Sequence, residues 1–307
     1  MLENICLVAG QVGMLFLMIA VGWVCARSKI LTRDGADQLS RISLNIITPC
    51  VIIDALQRDR DPHIVAEMGI SIAVGVGTIL LGTALTALLF RRRSAEERRV
   101  LRFGMSYPNS GYMGIPLVQA VLGDDAVLYA ASFVIAFNCV LWTFGIRLMG
   151  GRKEVSVRNA LVNPGTLSFA VGLVLFALDW RLPGPIGGAV SLFAGMNTPI
   201  AMLAIGVFIA FTDLHQCFRR AELYGACAVR MIVIPAAVLL VLRVLPLPNP
   251  SMTTALIICA SAPTAAATSM FASRYRLDTG LASQLVTLCT LLSIVTMPVF
   301  AALAQLA

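Results

Sequence analysis

Charged residues are scarce in this chain of 307 residues. They make up 13% of the sequence, whereas roughly 25% is typical of soluble domains, and the mean hydropathy is +0.86. Uncharged runs of about 20 residues or more recur, and each can cross the roughly 30 Å hydrocarbon core of a bilayer. The runs are Asn4–Ala26, Met68–Phe90, Ala126–Ile146, Asn159–Leu178, Leu182–Thr212, Val244–Ser273 and Thr279–Ala307. The composition excludes a soluble domain and predicts a multi-pass membrane protein.

Side chains and motifs that carry enzymatic chemistry are also few. The only histidines are His63 and His215, and the sequence contains no H-E-x-x-H, G-x-S-x-G or Walker-type motif. Its eight cysteines form no C-x-x-C pair, so we interpret them as small apolar packing residues and expect no metal and no cofactor. We expect a protein that is not an enzyme. An intramembrane hydrolase and a ligand-sensing membrane protein without transport are the alternatives to a transporter.

The basic residues indicate how the chain is oriented. We predict ten spans, at approximately 5–26, 41–57, 64–90, 102–122, 126–148, 159–178, 185–212, 221–243, 251–272 and 280–304. The odd-numbered loops carry eighteen lysines and arginines and the even-numbered loops carry four. By the positive-inside rule, the odd loops are cytoplasmic, so both termini lie on the non-cytoplasmic side of the cell membrane. The net charge of +7 therefore reflects topology, and we expect no nucleic-acid partner.

Ten spans divide into two halves of five, and an odd number per half makes the halves inverted relative to each other. Weak internal matches support this division. Span 2 contains Asn45 and Pro49 where span 7 contains Asn197 and Pro199, and Pro116 in span 4 matches Pro263 in span 9. We therefore predict a first repeat at residues 1–149, a cytoplasmic linker at 150–158 and a second repeat at 159–307. Proline-broken spans at corresponding places predict a binding site near the bilayer midplane.

The segment Ser106–Pro116 carries this prediction most strongly. It lies within an uncharged run, yet it contains Pro108, Pro116, Gly111 and Gly114. A proline removes a donor and displaces the carbonyl four residues earlier, so we expect span 4 to break at Pro116 and span 9 at Pro263. Broken backbone at membrane depth is tolerated where it is buried in protein or lines a wet cavity. A kinked span whose freed carbonyls are satisfied by neighbouring helices is the alternative.

Half-helix N-termini at such breaks expose N–H groups with partial positive charge, which suits a small organic anion. The carbonyl of Cys259, freed by Pro263, could instead accept from a substrate or favour a cation. The predicted substrate-binding residues are Asn109, Ser110, Tyr112, Pro116, Asn138, Pro263, Thr264 and Thr268. The predicted helix-break residues are Pro49, Pro108, Gly111, Gly114, Asn197 and Pro199.

Three polar residues inside spans have competing interpretations. Asn138 either binds the substrate or makes a hydrogen bond to a neighbouring helix. Asn197 precedes a proline and is expected to cap a half-helix. Arg230, about two turns into span 8, either binds substrate or extends towards the cytoplasmic surface, and we expect the latter. The middle of every span lacks an acidic residue, which argues against a proton relay through a buried carboxylate.

The sequence P-N-S-G-Y-M-G-I-P-L-V-Q-A-V-L-G at Pro108–Gly123 resembles the fourth-span motif of the auxin efflux carrier family. That family includes the plant PIN auxin exporters and bacterial permeases associated with malonate and malate. Other segments are similar to its second, fifth, seventh, ninth and tenth spans, and to the start of its second half. They are Leu44–Ile53, Ile135–Leu148, Pro199–Phe211, Ser261–Arg276, Leu281–Pro298 and Asn163–Pro164.

The resemblance implies an all-α fold of ten spans in two inverted repeats, akin to bile-acid symporter-type carriers. It implies broken helices 4 and 9 that cross near Pro116 and Pro263, a scaffold domain, a moving domain with elevator-type alternating access, and homodimers. Asn109 matches the asparagine placed to contact a substrate carboxylate. A mono- or dicarboxylate suits this short member better than auxin, and the coupling ion, if any, is a proton or sodium.

Overall fold

The computed structural model describes residues 2–59, 62–151, 162–245 and 247–305, and apart from one isolated β-bridge the regular secondary structure of these residues is helical. The helices are α1 Leu2–Arg27, α2 Arg33–Ile42, α3 Thr48–Ala55, α4 Pro62–Thr86, α5 Ala95–Ser106, α6 Ile115–Leu122, α7 Val127–Val140, α8 Ile146–Gly150, α9 Pro164–Ala177, α10 Gly184–Gly195, α11 Asn197–Ala210, α12 Leu214–Arg219, α13 Ala221–Ala228, α14 Ile234–Val244, α15 Pro250–Ser261, α16 Ala267–Arg274 and α17 Thr279–Gln305.

Six helical segments of the described chain are long and apolar enough to cross a membrane. They are Gly10–Arg27, His63–Thr86, Asp124–Gly150, Gly184–Ala210, Ala221–Val244 and Thr279–Gln305. Shorter apolar helices occupy Ser110–Leu122, Pro164–Ala177 and Pro250–Ser261. The long segments overlap predicted spans 1, 3, 5, 7, 8 and 10, and the shorter helices overlap spans 4, 6 and 9. A polytopic, all-helical membrane protein is therefore confirmed at this coarser level.

Large apolar side chains cover the outside of the molecule. Leu17, Leu192 and Val244 are 69%, 77% and 83% exposed, respectively. On a soluble protein such a surface would drive aggregation, whereas lipid chains solvate it without cost. The exposure agrees with the membrane assignment.

Helix packing groups the spans across the two sequence halves. Helix α1 packs along α11, and α3 packs against α9 and α10. The second group consists of α4, α5, α7, α13, α14, α15, α16 and α17, with α7 and α15 in direct contact, and its α17 also packs against α1. Spans 1, 2, 6 and 7 thus lie together, and so do spans 3, 4, 5, 8, 9 and 10. The predicted linker at 150–158 lies outside the described residues from residue 152 onwards, as do residues 159–161 of the predicted second repeat.

Two glycines allow α1 and α11 to meet backbone to backbone. A Cβ atom at Gly206 would lie 2.8 Å from the backbone nitrogen of Trp23, and one at Gly22 would lie 2.9 Å from the Cα atom of Leu203. Both distances are shorter than real Cβ contacts. Small residues permit such close approach, which in lipid replaces the hydrophobic effect as a source of helix association.

Prolines inside three spans follow a π-helical turn. The turns Ser43–Ile47, Ser110–Gly114 and Val229–Val233 end two residues before Pro49, Pro116 and Pro235, respectively. Widening the helix by one residue relieves the clash between a proline ring and the carbonyl four residues earlier. The predicted break at Pro116 is therefore wrong, because Pro116 lies inside the helical segment that runs from Ser110 to Leu122. Pro49 likewise lies in a widened but continuous helix.

Candidate functional site

Two stretches of extended backbone cross at the centre of the fold. The chain leaves helical geometry at Tyr107–Asn109, between α5 and the π turn, and again after Ser261, between α15 and α16. The N–H of Asn109 donates to the carbonyl of Pro263 at 2.7 Å, and the N–H of Ala265 donates to that of Tyr107 at 2.9 Å. These bonds form one antiparallel bridge between Pro108 and Thr264.

Pro108 occupies a position in this bridge where no backbone N–H donor is required. The two hydrogen bonds flank the pair Pro108–Thr264, which is therefore a non-hydrogen-bonded pair. A proline, which has no N–H, is tolerated there without loss of a ladder bond. Span 4 thus breaks at Pro108, one of the predicted helix-break residues, and not at Pro116, and span 9 breaks at Pro263 as predicted.

Each broken helix satisfies the carbonyl that the other one frees. Pro108 frees the carbonyl of Gly104, which accepts from the Thr264 hydroxyl at 3.0 Å. Pro263 frees the carbonyl of Cys259, which accepts from the Ser110 hydroxyl at 3.2 Å. The prediction that the Cys259 carbonyl is available to a ligand is therefore wrong. The hydroxyls of Ser110 and Thr264 join the two helices.

Arg230 lies at the same crossing and is fully buried. Its Nε donates to the Ala262 carbonyl at 3.1 Å, and its Nη2 donates to the carbonyls of Ala262 and Ala260. Its Nη1 lies 3.5 Å from the carbonyl of Met105. The expectation that Arg230 extends to the cytoplasmic surface is wrong. Its charge instead meets the C-terminal ends of α5 and α15, where the helix dipoles are negative.

The Asn109 side chain is 5% exposed, and its amide makes no hydrogen bond with any described residue. Three N–H groups follow it, those of Ser110, Gly111 and Tyr112, and none of them has a backbone partner in the described chain. A Cβ atom on Gly111 would meet nothing within 4 Å, so there is open space beside these donors. The start of the π turn therefore combines a buried amide, unpaired N–H groups and open space beside Gly111.

Gly114 has a different environment from Gly111. A Cβ atom at Gly114 would lie 3.2 Å from the Sγ atom of Cys259 and 3.4 Å from its Cα atom. Gly114 therefore serves the close approach of the two broken helices. Pro116, two residues further along, is buried in α6.

The remaining predicted substrate-binding residues, Tyr112, Asn138 and Thr268, have three different environments. The Tyr112 hydroxyl donates to the carbonyl of Ser40 at 3.1 Å, which ties the π turn to α2. Asn138 belongs to α7, and its side chain lies beside the start of α9, where a Cβ atom at Gly165 would meet its Nδ2 at 2.9 Å. Thr268 is fully buried in α16, and its hydroxyl has no hydrogen-bond partner in the described part of the chain.

Asn197 does not cap a half-helix. It is 2% exposed, helix α11 begins with it after a one-residue break at Met196, and its side chain makes no capping bond. Its Nδ2 has no partner among the residues described. Pro199 lies in the first turn of α11, where its missing N–H is not needed.

Two features of the crossing were missed in the sequence. Arg230 was visible as a charge inside an apolar span, but its partners are carbonyls, which leave no pattern in the side chains. The second is an aromatic layer beside the crossing. Phe103 stacks on Tyr107 with ring centroids 4.3 Å apart, and Phe271 packs edge-on against Phe103 and Trp142.

Metal-ligand clusters are absent from the described residues. Among the cysteines, Cys227 and Cys289 lie close together, with their sulfur atoms 3.0 Å apart, and Cys289 also accepts from the Thr264 hydroxyl. Burial raises the pKa of the Cys217 thiol, near the end of α12, to about 11. That thiol is therefore protonated and unreactive at neutral pH.

The fold and this crossing define a polytopic helical membrane protein with a buried polar centre. A family model described as membrane transport protein matches residues 7–301. The chain therefore belongs to this family, that of the auxin efflux carriers, and it is a membrane transporter and not an enzyme. The resemblance drawn from Pro108–Gly123 and the other motifs is confirmed.

Relatives of similar length match along most of the chain. An "uncharacterized transporter" of Methanothermobacter thermautotrophicus is 25% identical over 92% of this chain and 94% of its own length. The "putative malonate transporter" of Rhizobium meliloti is 24% identical over 94% of this chain and 93% of its own length. The "uncharacterized transporter YfdV" of Escherichia coli is 22% identical over 74% of this chain and 76% of its own length.

Proposed function

We propose that this transporter is a secondary-active or facilitative permease for a small organic anion such as a mono- or dicarboxylate. The observation that carries the proposal is the buried Asn109 amide beside the unpaired N–H groups of Ser110, Gly111 and Tyr112. Backbone N–H groups at a helix start bind carboxylates and phosphates without a basic side chain. The name of the Rhizobium meliloti relative, which refers to malonate, agrees with this class of substrate.

The distribution of donors and acceptors favours an anion over a cation. The carbonyls of Gly104 and Cys259 accept from hydroxyls, and those of Ala260 and Ala262 accept from Arg230. The acceptors that a cation would need are thus already used, whereas the donors next to Gly111 are not. The fixed charge of Arg230 at the crossing adds to the preference for a negative ligand.

The proposal includes elevator-type alternating access and a homodimer, as the family resemblance implies. The contacts of α1 with α11 and of α3 with α9 and α10 support a division into a scaffold and a moving group, which meet where α1 packs against α17. The coupling ion, if there is one, is a proton or sodium. The loop charges support an orientation with both termini on the non-cytoplasmic side.

Substitution of Asn109 tests the site and the sign of the ligand together. We expect Asn109→Ala to lower malonate uptake by about tenfold, because a hydrogen bond to a charged group contributes about 1.5–3 kcal/mol. We expect Asn109→Asp to abolish uptake, because its carboxylate repels an anion. The matched control is Asn45→Ala, since Asn45 is an exposed amide whose Nδ2 donates to the Arg41 carbonyl at 2.7 Å.

Uptake of labelled malonate, succinate, lactate and indole-3-acetate is measured in proteoliposomes, with and without sodium and with and without a pH gradient. Thermal stabilisation by the same ligands reports binding independently of flux, at about 2.7 kcal/mol for a ligand at 100 times its Kd. Uptake that Asn109→Asp leaves intact would rule out an anion at this site. Binding without uptake would instead favour a sensor.

A further inference from the structure

A cavity lined mainly by arginines lies away from the crossing, between α5 and α8. Its volume is about 400 Å³. It is lined by Arg98, Arg99, Arg102, Phe144, Arg147 and Leu148. Four of the six lining residues are arginines and none is acidic. The cavity lies on the face of the odd-numbered loops, which hold most of the basic residues.

Local sequence explains how the four guanidinium groups converge. Arg98 and Arg102 are one turn apart on α5 and therefore share a face of that helix. Arg147 lies near the start of α8. Phe144 precedes it by three residues, and Leu148 follows it directly. The cavity therefore has a basic part and an apolar part.

The cavity arginines form no ion pair with a carboxylate among the described residues. Elsewhere in the described chain, four arginines pair with carboxylates: Arg58, Arg93, Arg181 and Arg220. None of the four arginines in the cavity forms such a pair with a described residue, and the buried Nε of Arg102 has no hydrogen-bond partner there. Like charges held close together repel unless an anion lies between them.

We propose that this cavity binds a phosphoryl-bearing anion, either the headgroup of an acidic phospholipid or a soluble phosphate compound. Guanidinium groups match phosphate oxygens with paired hydrogen bonds, and several of them suit a group with more than one negative charge. Basic pockets between spans on the cytoplasmic side hold acidic lipid headgroups. Phe144 and Leu148 would contact the first part of an acyl chain, which a soluble phosphate lacks.

Paired charge-removing variants test the proposal without reference to transport. The cavity variant is Arg102→Gln with Arg147→Gln, and the matched control is Arg91→Gln with Arg92→Gln. The control arginines are exposed, lie near the same face and are absent from the cavity lining. Arg98→Gln with Arg147→Gln replaces the first variant if Arg102 proves necessary for folding.

Binding is measured on delipidated protein in nonionic detergent. Native mass spectrometry gives the Kd for dioleoylphosphatidylglycerol and for cardiolipin, with dioleoylphosphatidylcholine as the uncharged comparison, and calorimetry gives the Kd for inorganic pyrophosphate. We expect the acidic lipids to bind the wild type and the control equally, and the cavity variant about thirtyfold more weakly.

Each outcome decides the proposal. Selective loss of lipid binding in the cavity variant supports a headgroup site, and selective loss of pyrophosphate binding alone supports a soluble phosphate ligand. Equal weakening in the cavity and control variants would show general charge attraction and overturn the proposal. The proposal would also be overturned if the wild type bound none of the anionic probes, neither the two acidic lipids nor pyrophosphate.

Discussion

At the scale of single residues, each proline at the crossing frees one backbone carbonyl, and a hydroxyl on the other broken helix donates a hydrogen bond to that carbonyl. Pro108 frees a carbonyl that Thr264 satisfies, and Pro263 frees one that Ser110 satisfies. An unsatisfied buried carbonyl costs several kcal/mol in lipid, so this reciprocity stabilises two breaks at membrane depth. The same hydroxyls are then less available to a substrate, which leaves Asn109 as the leading ligand residue.

Arg230 extends this arrangement to the ends of α5 and α15. We expect Arg230→Met to lower the free energy of unfolding by about 3 kcal/mol or more, because several carbonyls lose a charged donor at once. Thermal unfolding in detergent, at one heating rate, measures the effect. Arg243→Met is the control, since Arg243 is an exposed arginine in α14, close to Arg230 along the chain. A melting temperature equal to that of the wild type would contradict the structural role of Arg230.

At the scale of helices, a proline signals a break only in combination with its surroundings. Pro116, Pro49 and Pro235 all follow π turns that keep the helix continuous, whereas Pro108 and Pro263 stand in extended backbone. The sequence locates span 4 correctly and marks both Pro108 and Pro116 as breaks, but it does not show that only Pro108 ends the helix. The choice between Pro108 and Pro116 depends on the bridge to Thr264, a residue 156 positions after Pro108.

Contact between α1 and α11 provides a test of helix packing. We expect Gly206→Ala to destabilise the protein by about 1–3 kcal/mol, because the new methyl group collides with the backbone of α1. Gly13→Ala is the matched control, since a Cβ atom at Gly13 in α1 would meet nothing within 4 Å. Chemical or thermal unfolding in detergent compares the two variants. Equal stability of Gly206→Ala and Gly13→Ala would mean that the helices do not touch at Gly206.

At the scale of the whole molecule, the ion pairs follow the predicted alternation of sides. Arg58–Asp125 and Arg181–Asp59 join residues of the even-numbered loops. Arg93–Glu222 and Arg220–Asp278 join residues at the odd-numbered loops. A pair that linked an odd to an even loop would have to span the membrane, and none of the described pairs does. The pairs support the alternation but do not decide which face is cytoplasmic.

Cysteine labelling tests the orientation. In a background without the eight native cysteines, we expect an impermeant maleimide to label Asp125→Cys in intact cells, because the even loops carry few basic residues. We expect Arg92→Cys to react only after the cells are permeabilised. Both side chains are exposed at their loops, so accessibility does not limit either reaction. The reverse pattern of labelling would place both termini in the cytoplasm.

The sequence by itself determined the class of protein, the positions of most apolar segments and the family. Hydrophobic length, loop charge and short motifs are local properties, and they can be read without knowing which helices touch. The tertiary structure decided the position of the break in span 4, the partners of Ser110, Thr264 and Arg230, and the convergence of the cavity arginines. Each of these features depends on hydrogen bonds to backbone carbonyls or on contacts between helices that are far apart in the chain. Such interactions leave no periodic pattern in the amino-acid sequence.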